Sequence, residues 1–267
     1  MEKTYKLGVI GGGFMGRAIL EGAWKNQFLS PSDVAIGEPS EDRAREFTRW
    51  GAFVCADNRY IAENCEYLLF AVKPQVFPQV AEELKGADLP VILTIMAGKT
   101  RAVISESLGG GVKVARAMPN LPCSVGAGTI GIDTSALTET ERRFAYGLFS
   151  STGKVIETEE RLLNAVTGVS GSGPAYVYLF LQALTEAGQE QGLSAEQAKD
   201  MALQTMIGGA KLVESRPDQS LQDLIDAVSS KGGTTVAALE SFARDDFKGA
   251  VSRAVDAAVR RAAELSK

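Results

Sequence analysis

Leu7 Gly8 Val9 Ile10 Gly11 Gly12 Gly13 Phe14 Met15 Gly16 Arg17 Ala18 Ile19 Leu20 is the stretch on which the reading of this chain turns. Four apolar-rich residues read as a strand, three glycines follow, and Arg17, Ala18, Ile19, Leu20 and Ala23 continue as a helix. The glycines stand where a strand-loop-helix fingerprint for dinucleotides needs them. Gly11 permits the tight turn, Gly13 lets a pyrophosphate approach the backbone, and Gly16 lets the helix pack on the strand. The helix start then offers unpaired N–H groups and the positive end of its dipole to the phosphates. A glycine cluster alone is an ordinary tight turn; the strand before it, the helix after it and a further βα unit make a dinucleotide site the expectation.

Outward from this loop, apolar runs at residues 34–37, 67–72, 91–96 and 112–118 alternate with helical patterns. Such alternation implies a mostly parallel sheet covered by helices. Segments 129–132 and 155–156 are expected to add strands at the far edge. Beyond about Asn164 the strand signals stop and helix follows helix. Ala198, Met201, Ala202, Thr205, Met206, Gly209, Leu212 and Val213 share one helical face. From about Asp246, Phe247, Val251, Ala254, Val255, Ala258, Val259, Ala262 and Leu265 repeat the pattern. Stripes so wide and so rich in small residues on a short helical segment call for a second subunit to cover them, hence a homo-oligomer. The expected division is an α/β domain over residues 1–163 and an all-α domain over residues 164–267, without a low-complexity linker or an internal repeat.

The 267 residues are 45% hydrophobic and 23% charged, the balance of a globular protein. The net charge of -5 and the lack of a Lys/Arg-rich cluster argue against nucleic acid as a partner. The opening residues pass directly into a strand without an apolar signal core, and apolar runs such as 67–72 are too short to cross a bilayer. No membrane association and a cytoplasmic location are expected. Cys55, Cys65 and Cys123 lack metal-ligand or redox spacing and read as small hydrophobes. There is no histidine, which removes Ser-His and Cys-His catalysis and the usual zinc ligands, and no metal is expected.

Glu38, which ends the run 34–37, falls where this arrangement sets an acid against the adenosine ribose. A carboxylate there repels a 2'-phosphate, so the expectation leans to NADH over NADPH. The plainer reading makes Glu38 part of the Glu38 Pro39 Ser40 turn before a helix, and Arg43 and Arg45 are near enough in sequence to serve a phosphate.

Further on come Ala71 Val72 Lys73 Pro74, then Arg116 Ala117 Met118 Pro119 Asn120, then Gly171 Ser172 Gly173 Pro174 Ala175 Tyr176, then Ser229 Ser230 Lys231 Gly232 Gly233 Thr234 Thr235. In this order behind the glycine loop, they resemble pyrroline-5-carboxylate reductase over essentially the whole chain. The resemblance implies an N-terminal Rossmann domain that carries NADH or NADPH and a C-terminal all-α dimerisation domain. That second domain, in a homodimer or a larger assembly of dimers, completes a pocket for a small cyclic imine. Cofactor contacts carried over from the family fall on Gly11, Gly13, Phe14, Met15, Gly16, Asn58, Ala71, Val72, Lys73, Pro74, Ala97 and Gly98. Substrate contacts fall on Ser230, Gly232, Gly233, Thr234 and Thr235. Glu214 aligns with a family glutamate near the substrate, although an exposed helical glutamate fits as well, and Lys73 reads equally as a solvated lysine before a proline.

Gly232 and Gly233 are expected to present successive N–H groups to the substrate carboxylate. A protonated cyclic imine is already an electrophile, so reduction rests on positioning and needs no histidine. Thr235 is the expected hydrogen-bonding participant at the ring nitrogen. Lys231 stands where the family usually has proline, and Leu121 where it usually has threonine. A reductase of another cyclic imino acid and a non-catalytic nucleotide-binding regulator therefore stay open. A β-hydroxyacid dehydrogenase does not fit: Gly168, Gly171 and Gly173 match its pattern, but Val177 occupies the place of its acid/base lysine.

Overall fold

In the computed structural model, which describes residues 3–265, the chain forms two compact units, Met1–Ser172 with Ala258–Lys267, and Gly173–Ala257. In this division the segment after β8 stays with the sheet, and the expected boundary at 163/164 falls within that segment. The outer ends of the expected domains, Met1, Glu2, Ser266 and Lys267, lie outside the described residues.

The first unit is built on eight strands: β1 (Tyr5–Ile10), β2 (Val34–Gly37), β3 (Phe53–Cys55), β4 (Cys65–Phe70), β5 (Val91–Thr94), β6 (Val114–Met118), β7 (Gly128–Asp133) and β8 (Gly153–Glu157). Their order is β3-β2-β1-β4-β5-β6-β7-β8. Every pairing is parallel except β6 with β7. Both faces of such a sheet must be covered, and alternate residues serve opposite cores. Leu7, Val9, Ile36, Tyr67 and Leu69 pack with α1 (Phe14–Lys25), Phe47 of α2 (Glu41–Arg49), and Phe144, Leu148 and Phe149 of α6 (Glu139–Ser150). Ile10, Ala35, Leu68 and Phe70 pack the other way, against α3 (Asn58–Glu63), α4 (Phe77–Glu83) and α5 (Arg101–Ser107). The strand order reverses direction at β1, the place where open α/β sheets bind ligands outside the strand C-termini.

Sequence reading missed β3. It has three residues, lies at the sheet edge and keeps Phe53 exposed, so it carries neither length nor alternation; Gly51, at φ 96°, turns the chain into it. After β8 the chain runs through Glu160–Leu162 and α7 (Leu163–Val166) into a π-helical turn, Thr167–Gly171.

The second unit consists of α8 (Gly173–Glu190), α9 (Ala195–Ser215), α10 (Leu221–Ala227), α11 (Thr234–Arg244) and the start of α12 (Phe247–Leu265). Ala198 and Ala202 of the expected α9 face are buried, whereas Met201 is 56% and Leu212 41% exposed. On α8, Tyr178 and Leu179 are exposed as well. The periodicity is helical as expected, but the chain by itself leaves much of the stripe in water. Among the described residues no helix is long and apolar enough to cross a membrane.

Candidate functional site

The parallel register sets Ile10 beside Gly37 and Phe70, and Phe70 beside Thr94. The loops that leave β1, β2, β4 and β5 therefore open along one sheet edge. Main-chain bonds hold them there: Gly11 N–H donates to Gly37 O at 2.9 Å, Ala71 N–H to Ile10 O at 2.9 Å, and Ile95 N–H to Phe70 O at 3.2 Å. Gly11, Gly13, Phe14, Met15, Gly16, Glu38, Ala71, Val72, Lys73, Pro74, Ala97 and Gly98 all follow strand C-termini on this edge. Asn58 joins them at the start of α3, its Nδ2 2.7 Å from Glu83 Oε2.

The three fingerprint glycines have different reasons to lack a side chain. Gly11 has φ 103°, and an added Cβ would come within 2.8 Å of the Ala71 carbonyl carbon. At Gly16 it would lie 2.5 Å from Gly11 O. Gly13 has φ -69° and ψ -176°, ordinary extended backbone, and nothing lies within 4 Å of where its Cβ would be. The fold does not require glycine there, and the open space it leaves fits a group brought in from outside. Helix α1 starts directly behind it, with no side-chain cap and no acidic residue in its first turn. Its leading N–H groups have no intrahelical acceptor.

Glu38 stands in the turn before α2, the plainer of its two readings. Its side chain is only 2% exposed. Oε2 accepts the Gly12 N–H at 2.9 Å, and Oε1 accepts the Ser40 N–H and Arg43 Nη2, each at 2.8 Å. The carboxylate thus ties the glycine loop to the β2 turn. Arg43 is its cationic partner, while Arg45 pairs with Glu41. Burial pushes the Glu38 carboxyl up, but the donors from Arg43, Ser40 and Gly12 outweigh it and hold the group below its ordinary 4.5. A carboxyl depressed in the folded state stabilises above its unfolded pKa, and that stability is lost as pH falls through the folded value. Glu38→Gln is therefore expected to melt below the wild type at neutral pH by about 1 to 3 kcal/mol. The two melting curves should converge as the pH drops below 4.5; a gap independent of pH would show that the charge is not what matters.

In the second unit, Ser230 O accepts the Gly233 N–H at 2.9 Å, closing a turn with Gly232 at φ 73°. The expected pair of glycine N–H groups is corrected by this bond: the Gly233 amide is already engaged. What the turn offers instead is the start of α11, whose N-cap is Gly233 without a side-chain cap. The amides of Thr234 and Thr235 open that helix and lack intrahelical acceptors. Thr234 is exposed and Thr235 half-buried. Glu214 is exposed at the penultimate position of α9, and Lys231 is exposed in the turn.

A model described as pyrroline-5-carboxylate reductase dimerisation matches residues 160–265, and one described as NADP oxidoreductase, coenzyme F420-dependent, matches residues 6–98. A pyrroline-5-carboxylate reductase of Synechocystis sp. is 40% identical over 99% of both chains. The chain belongs to the pyrroline-5-carboxylate reductase family. Among solved members, the reductase of Coxiella burnetii has a TM-score of 0.91 at 33% identity, covering 99% of this chain and 100% of its own. The Plasmodium falciparum enzyme, solved with NADP bound, has a TM-score of 0.88 at 30% identity and covers 100% of both chains. The fold class and the family read from the sequence both hold, and pyrroline-5-carboxylate reductases are oxidoreductases. Sequence reading quoted Arg116 and Asn120 of this reductase only as family markers and overlooked Glu160, with which Arg116 pairs at 3.0 Å. Only their place in a recurring motif singles out the first two; nothing in the sequence singles out Glu160.

Proposed function

We propose that this chain reduces the C=N bond of 1-pyrroline-5-carboxylate to give L-proline, using NADH or NADPH. The observation that carries the reading is end-to-end similarity to pyrroline-5-carboxylate reductases, with both the glycine loop and the Ser229 to Thr235 motif present in one chain. The reduced nicotinamide, when bound, supplies the hydride. The chain's residues bind and orient. Gly11, Gly13, Phe14, Met15 and Gly16 receive the pyrophosphate, Glu38 the ribose, and Asn58, Ala71, Val72, Lys73, Pro74, Ala97 and Gly98 line the remaining nucleotide. Ser230, Gly232 and Thr234 hold the substrate carboxylate, with Gly233 closing the turn that presents them, Glu214 borders the ring, and the Thr235 hydroxyl hydrogen-bonds the ring nitrogen. The working form is a homodimer or a larger assembly of dimers, supported by the exposed apolar residues of α8 and α9. The cytoplasm suits its three free cysteines.

The deciding assay follows the loss of reduced-nicotinamide absorbance with pyrroline-5-carboxylate and with its six-membered analogue, using both cofactors. No turnover of either imine would sink the reading. Faster turnover of the larger ring would favour the second reading, another cyclic imino acid, for which Lys231 in the substrate turn is the specific observation. With Glu38 satisfied by Arg43, the lean is to NADH. Glu38→Ser removes a negative charge and frees Arg43, so it is expected to shift the preference toward NADPH by about tenfold. A wild type that already prefers NADPH strongly would overturn this lean.

A further inference from the structure

Both ends of the Arg116 to Asn120 run reach the same connecting segment. Asn120 accepts the Thr129 N–H at 2.9 Å and donates Nδ2 to Ser170 O at 3.1 Å, in the π-helical turn. Arg116, buried in β6, donates Nη1 to Glu160 Oε1 at 3.0 Å. Glu160 collects more. Its Oε1 also accepts the Arg101 main-chain N–H at 2.7 Å, and its Oε2 accepts Arg101 Nε at 3.2 Å. The Glu160 N–H itself donates to Asp133 Oδ2 at 2.6 Å. Ser135 Oγ, held by Asp133 Oδ1, lies 2.6 Å from Arg101 Nη1.

Arg101 is the first residue of α5 and ends the loop at residues 95–100, which leaves β5 at the cofactor edge. That loop contains Ala97 and a left-handed Gly98, at φ 76°. Isolated ion pairs add little to stability. Here the carboxylate grips main chain, which fixes where a loop ends, and contacting residues need such support to be held in working geometry.

We propose that Glu160 is a positioning residue for the cofactor loop, locking the end of residues 95–100 to the buried Arg116 and so setting the place of Ala97 and Gly98. The proposal rests on the cofactor site assigned above. Glu160→Gln keeps the shape and removes the charge that faces two guanidinium groups. The dissociation constant for the reduced nucleotide is expected to rise about fivefold or more, with KM for the cofactor following it. KM for the imine, and kcat at saturating cofactor, are expected to stay within about twofold.

Arg101→Lys keeps the main-chain bond and a cation and is expected to bind cofactor nearly as the wild type does. If Glu160→Gln fails to fold, Glu160→Asp, which keeps the charge but is one methylene too short to hold Arg116 and the Arg101 main chain together, reads the same loop; its affinity is expected to fall about threefold. Cofactor affinity within about twofold of wild type in the folded variant, whatever its melting temperature, would overturn the proposal. A wild type without saturable binding of either nucleotide would instead overturn the cofactor site, and this inference with it.

Discussion

Gly13→Val is expected to fold as the wild type does and to bind neither NADH nor NADPH measurably. The argument is one of space. Gly13 has an extended backbone that any residue adopts, and a Cβ there meets no protein atom within 4 Å. Valine is stiff at χ1 but well suited to extended backbone. Its two methyl groups fill the approach to the first N–H groups of α1, where a pyrophosphate would sit. Losing two charge-assisted hydrogen bonds at about 1.5 to 3 kcal/mol each amounts to a hundredfold or more in affinity. Gly16→Ala is the contrasting variant. Its added carbon would lie 2.5 Å from Gly11 O, so it is expected to lower the melting temperature as well as the affinity. Thermal melts and a fluorescence titration with the reduced nucleotide measure both quantities. Normal affinity in Gly13→Val would remove the pyrophosphate from this loop; a collapsed melt would show that the fold, after all, needs the glycine.

The same contrast shows what the sequence could and could not convey. Three glycines in a fingerprint are legible because strand, turn and helix are local and each has its own period. That an added carbon at Gly11 would strike Ala71, just past β4, depends on a strand about sixty residues away, and that nothing fills the space at Gly13 depends on the whole sheet edge. Glu159 and Glu160 make the point again. They are identical neighbours, but Glu159 pairs with exposed Arg161 while Glu160 takes both Arg101 and the buried Arg116. No periodicity tells them apart; only the arrival of β6 and α5 beside the segment does. The apolar faces of α9 and α12 were legible as stripes, though their cover was not, since that depends on what meets the chain. The antiparallel β7 was readable as a strand and unreadable as to direction, because direction comes from the connection and not from the run itself.

Thr235→Val is expected to lower kcat/KM for the imine by about 1 to 3 kcal/mol, roughly 5- to 150-fold, while the cofactor dissociation constant stays unchanged. Thr235 is the second residue of α11, half-buried behind the turn that Ser230 O and the Gly233 N–H close. Valine matches threonine in shape and differs only at the hydroxyl, and both are β-branched, so the helix start is not strained anew. The loss is therefore that of a single hydrogen-bonding partner. It should appear in the imine reaction and not in nucleotide binding, because the thirteen residues assigned to the cofactor all belong to the first unit and Thr235 to the second. With no histidine in the chain, no other side chain of neutral pKa stands ready to take over at the ring nitrogen. If Thr235→Val turns over pyrroline-5-carboxylate at the wild-type rate, the hydroxyl is not at the reacting atoms and the ring nitrogen takes its proton from solvent. If cofactor affinity falls instead, the turn faces the nucleotide, and the substrate carboxylate must be sought elsewhere in the second unit.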